Sequence, residues 1–154
     1  MLDDLLMMVL LCLLPSLAVA ADAELWRVER SGPGSEYHCP ENAAKAVANH
    51  SPGAKLLNLE KRVRWEGGSF PLHKRAGQDE DIERPDGNCF ALVVDGKIIA
   101  AGAFIWFASA QALPFPVIQI IARKPGEVQE FVLLPRSLGG TVPQLWKEVL
   151  PDLR

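Results

Sequence analysis

Two runs of consecutive β-prone residues, Phe90-Ala91-Leu92-Val93-Val94 and Lys97-Ile98-Ile99-Ala100-Ala101, meet at Asp95-Gly96. Asp and Gly tolerate the positive φ that a type I′ turn demands, and that turn matches the twist of the strands it joins. The segment therefore predicts a β-hairpin. Neither arm alternates apolar with polar residues, so both faces of the hairpin have to be covered and it belongs at the centre of a sheet.

The fold expected around it is α+β, a small antiparallel sheet of four to six strands with two helices. One helix is read over residues 41–50, where Pro40 suits a first turn, Glu41 faces the positive helix end and alanines follow. Ser51-Pro52-Gly53 stops it. A short C-terminal helix is read over 143–150, with Leu145, Trp146, Val149 and Leu150 on one stripe able to cap the sheet. Leu25, Trp26 and Val28 suggest a short strand before the turn cluster Ser31-Gly32-Pro33-Gly34-Ser35. Leu56, Leu57, Leu59, Val63 and Trp65 suggest a strand pair or one bent strand ending at Gly67-Gly68. Residues 115–121 and 127–134 form a second hairpin in this reading.

Residues 98–122 carry no charged side chain and are long enough to cross a bilayer, with Arg123-Lys124 behind them. Gly102, Gln111, the pair Pro114 and Pro116, Gln119 and the upstream Asp-Gly turn argue for two buried strands instead, because closely spaced prolines break a helix.

An apolar run over residues 5–14 breaks at Pro15 and ends in small residues. It reads as a secretory signal occupying residues 1–20, with cleavage after Ala20 or, by a second A-x-A pattern, after Ala23. Asp3 and Asp4 depart from the usual positive start, which keeps an uncleaved anchor as the competing reading. The remainder, 24–154, is one domain in length. Removing Asp3 and Asp4 with the leader moves the formal charge from −3 to −1, with 16 bases against 17 acids. A nearly neutral domain with dispersed bases has no electrostatic footprint for nucleic acid. Cys39 and Cys89 then remain, and in an oxidising compartment they are expected to form a disulfide.

Chemistry-bearing motifs are sparse. Residues 71–88 are polar and read as a surface loop, with Asp79, Glu80, Asp81, Glu83 and Arg84 as the candidate contact residues. An EF-hand is excluded there, since the position that needs glycine is Arg84 and the twelfth is Leu92. His38, His50 and His73 match no zinc spacing, so no metal and no cofactor is expected. Ser69, His73 and Glu66 lie close in sequence but lack a nucleophile-elbow context. Trp65, Phe70, Phe104, Trp106 and Phe107 read as core before they read as a ligand pocket. Asn49-His50-Ser51 is a glycosylation sequon followed by Pro52, and Lys61-Arg62 with Lys74-Arg75 are dibasic pairs of the number chance supplies.

The function expected from this pattern is a secreted or periplasmic, non-enzymatic binding or inhibitory protein, whose partner is another protein or a small ligand. The alternative is a membrane-associated accessory protein held by an uncleaved N-terminal segment or by residues 98–122. Catalysis is left open and disfavoured.

Overall fold

The computed structural model describes residues 22–30, 32, 35–57, 62–71, 87–121 and 130–152. Eight strands are present among them: β1 (Ala23–Val28), β2 (Ala54–Leu56), β3 (Arg62–Trp65), β4 (Gly68–Pro71), β5 (Cys89–Val94), β6 (Lys97–Trp106), β7 (Val117–Ile121) and β8 (Glu130–Leu134). A 3₁₀ turn, Ser35–His38, leads into helix α1 (Cys39–Ala48), and helix α2 (Gln144–Val149) runs into a second 3₁₀ turn, Leu150–Asp152.

The strands form one sheet in the order β2-β1-β5-β6-β7-β8-β3-β4. This corrects the expectation of a small, wholly antiparallel sheet of four to six strands. The sheet has eight strands, is mixed, and curls into a half-barrel. Two pairings are parallel, β6 with β7 and β3 with β8. β2 and β3 do not pair with each other, because they stand near opposite ends of the sheet. β3 does end where Gly67-Gly68 is expected to end it, and β4 begins at Gly68. Glu66 and Gly67, the latter at φ 115°, turn the chain so that β4 pairs antiparallel with β3.

The central hairpin forms as its residues require, with Asp95 at φ 48° and Gly96 at φ 74°. Every residue of β5 is buried. Phe90, Leu92 and Val94 face one core, which also holds Leu25, Val63, Phe104, Ile118, Phe131 and Leu133. Cys89 and Ala91 face a second core on the other side of the sheet, with Ala43, Ala103, Leu113 and Val117. Phe90 and Phe104 meet edge to face, their centroids 5.6 Å apart, the arrangement that ring quadrupoles favour. The second predicted hairpin is also present, as antiparallel β7 and β8.

Each core has its helix. α1 lies on β5 and β6 and buries Ala43 beneath itself. Its C-terminus closes in a Schellman arrangement, in which the His50 amide donates to the Val47 carbonyl and the Ser51 amide to that of Ala46. His50 sits in the left-handed position of that motif, at φ 50°. α2 plugs the concave side with Trp146 and Leu150 buried and Val149 packed beside them. Leu145, expected on the same stripe, is 48% exposed. The curl of the sheet lets this short element reach two distant strands: the Trp146 indole donates to the Ile99 carbonyl on β6 at 3.1 Å, and the turn after it lies against β4. Ile99 is the extra residue of a bulge, because Leu92 pairs with Ala100 while Val93 pairs with Ile98. The indole thus occupies a carbonyl that the bulge takes out of the ladder.

The uncharged stretch 98–122 is β6, a connection and β7, and no described helix is long and apolar enough to cross a membrane. What lets the two strands lie parallel is Gly102. The Pro116 backbone crosses so closely that a Cβ at Gly102 would overlap the Pro116 carbonyl oxygen, and the next amide, Ala103, donates to that oxygen.

Gly102→Ala is expected to cost about 2 kcal/mol or more, since the obstacle is backbone and cannot rotate away. His50→Gly is expected to stabilise by about 0.5 to 1 kcal/mol, because glycine enters the left-handed region without a Cβ penalty. Guanidinium unfolding of the two variants beside the parent checks both signs.

Candidate functional site

Cys39 opens α1 and Cys89 opens β5, and the two are joined in a disulfide with Cα atoms 5.1 Å apart. That separation lies within the range a bridge accepts without backbone movement. Both residues are fully buried in the second core, so the bridge fastens the head of α1 to the sheet. A disulfide, with no membrane-length helix among the described residues, is compatible with a location outside the cytoplasm.

Beside the bridge is a cleft of about 410 Å³, a volume typical of small-ligand sites. Its walls come from separated parts of the chain: Arg30 after β1, Cys39 at the head of α1, Gly87 and Asn88 before β5, residues 103–106 at the end of β6, and Ala108, Ser109 and Gln111 beyond it. Backbone bonds hold these walls in place. The Gly87 amide donates to the Phe104 carbonyl at 3.4 Å and the Phe104 amide to the Asn88 carbonyl at 2.9 Å. After β6 the chain turns, with the Ser109 amide donating to the Trp106 carbonyl at 2.9 Å and the Phe107 amide to Ile120. The Gln111 amide reaches the Ser109 hydroxyl at 3.4 Å. Phe107, next to the lining residues, is 57% exposed.

The described lining includes an arginine, an asparagine, a glutamine and a serine beside apolar residues, and no acidic residue or histidine. Such a set can orient a ligand by hydrogen bonds and bury its apolar part. A second hollow, about 480 Å³, lies between residues 112–114 and 136–141. Its described lining comes from two connections, which are pinned to each other: the Leu113 amide donates to the buried Ser137 hydroxyl at 2.8 Å and the Ser137 amide to the Leu113 carbonyl. This hollow follows from how the β6–β7 connection is anchored.

The residues singled out from the sequence are scattered. Asp79, Glu80, Asp81, Glu83 and Arg84 lie outside the described residues, as does His73. Ser69 is exposed on β4 and Glu66 exposed at the β3–β4 turn. His38 and His50 are exposed at the two ends of α1, and no group of three metal-ligating side chains occurs among the described residues. Trp65 and Phe104 are core, Trp106 is packed against that core and Phe107 is exposed. Arg30, Ser109 and Gln111 carry no sequence signal, because only the fold brings their three segments to one place. Gly87 and Asn88 do connect the two readings: they are the last residues of the 71–88 segment and they line the cleft.

Replacing Cys39 and Cys89 together by serine is expected to remove about 4 kcal/mol of stability, the chain-entropy value for a bridge across 50 residues. Urea unfolding of the double variant against the oxidised parent measures it.

Comparison with protein-family models, with curated proteins and with solved structures gives no match to this chain.

Proposed function

We propose that this is a non-enzymatic binding protein of the periplasm or extracellular space, and that the cleft beside the Cys39–Cys89 bridge holds its ligand or a projecting side chain of a partner protein. The observation that carries this reading is the composition and placement of the cleft. Arg30, Asn88, Ser109 and Gln111 line the cleft at the end of β6 from separate segments, next to a buried disulfide and to backbone bonds that tie residues 87–88 to Phe104 and Ser109 to Trp106. Preorganised walls lower the entropy lost on binding, which is how a small domain holds a ligand without a large interface. Gly87 and Asn88, the last residues of the 71–88 segment, line the same cleft. Buried disulfides persist in oxidising compartments, which supports the location.

Ala108, an exposed lining residue, provides the test. The parent and Ala108→Trp are each used to capture material from the native host, and bound proteins and small molecules are identified by mass spectrometry after denaturation. Filling the cleft is expected to reduce recovery of the parent's specific ligand at least tenfold with an unchanged unfolding midpoint. Equal recovery by the two proteins removes the cleft from the proposal. Deleting residues 78–83 in parallel separates a contribution of the loop from that of the cleft.

A further inference from the structure

The two A-x-A patterns near the N-terminus offer cleavage after Ala20 or after Ala23, and the fold distinguishes their products. Asp22 is held by a closed pair of hydrogen bonds: its amide donates to the Asp95 carboxylate at 3.0 Å, and the Asp95 amide donates to its carbonyl at 3.0 Å. Asp95 is the residue at φ 48° in the turn of the central hairpin. This clasp therefore ties the start of β1 to the turn between β5 and β6. The next residue, Ala23, pairs with Val94 and is 6% exposed in the concave core.

We infer that the mature chain begins at Ala21, because cleavage after Ala20 keeps Asp22 and Ala23 in the sheet whereas cleavage after Ala23 removes a core residue and the clasp on Asp95. Two physical points sharpen the choice. The Asp22 nitrogen acts as a neutral amide donor only if a residue precedes it, and a cut after Ala20 leaves one. A cut after Ala23 places a charged ammonium on Glu24, opposite Val93 and beside Leu25, which is 1% exposed, where desolvation of a charge is unfavourable. The hairpin turn would also lose both of its long-range bonds. The inference rests on the reading of residues 1–20 as a leader, and it adds which of two bonds the fold accommodates.

The full chain, expressed with its own leader in a secreting host, is purified and its mass and N-terminal residues are determined. A start at Ala21 is expected. A majority start at Glu24 overturns the inference while leaving the leader reading intact, and a start at Met1 overturns both. Independently, chains beginning at Ala21 and at Glu24 are compared by thermal unfolding. The shorter chain is expected to melt about 5 °C lower or more, the shift that loss of one to two kcal/mol produces in a domain of this size. Equal melting temperatures overturn the Asp22 clasp and the burial of Ala23 as the reason for the choice of bond.

Discussion

The burial of both faces of β5, the first arm of the central hairpin, is the constraint on which the rest of this structure depends, although β6 begins exposed at Lys97 and Ile98. The side chains of β5 are apolar on successive residues, so it cannot sit at the surface of a two-layer fold with one face wet. Phe90, Leu92 and Val94 need a partner on one side, and Cys89 and Ala91 need one on the other. The chain meets the two demands differently. On the concave side the sheet curls and α2 fills the remaining space with Trp146 and Leu150. On the convex side α1 and the connection between β6 and β7 provide the cover, with Ala43 and Leu113 as the buried contacts.

The disulfide and the clasp on Asp95 act at opposite ends of the same hairpin. Cys89 begins β5, and its bridge holds the head of α1 against the second core. Asp95 follows β5 in the hairpin turn, and its bonds to Asp22 hold the start of β1 alongside. Two elements separated in sequence, α1 and β1, are thus registered on one strand. The cleft lies at the disulfide end, where the chain enters β5, leaves β6 and begins α1.

Legibility of the fold followed the range of the interactions. The Asp95-Gly96 turn, the two hairpins, the alanine-rich helix and the C-terminal helix rest on contacts within a few residues and were readable. The parallel pairings were not, because parallel strands ordinarily announce themselves through a crossover helix, and the chain between β6 and β7 is an irregular segment rich in alanine and proline. Strands β2 and β4 are three and four residues long, too short for periodicity to emerge. Leu145 illustrates a related limit: its position on the apolar stripe of α2 is correct, yet the helix is short and the sheet contacts only part of that stripe. In the candidate site, the disulfide was readable from cysteine count and compartment. The grouping of Arg30, Ser109 and Gln111 was not, since it depends on where three loops end.

By itself the sequence determined that a hairpin with a fully buried first arm turns at Asp95-Gly96, that Cys39 and Cys89 pair, and that helices flank a β-rich centre, because each of these is decided by local sterics, hydrophobic pattern or the chemistry of two thiols. The second arm, read as covered too, begins exposed at Lys97 and Ile98. Tertiary structure alone decided the strand order, the two parallel pairings, the curl and the cleft. Those depend on long-range choices among nearly equivalent apolar edges, settled by single close fits such as the Pro116 backbone over Gly102 and the Trp146 indole on the Ile99 carbonyl.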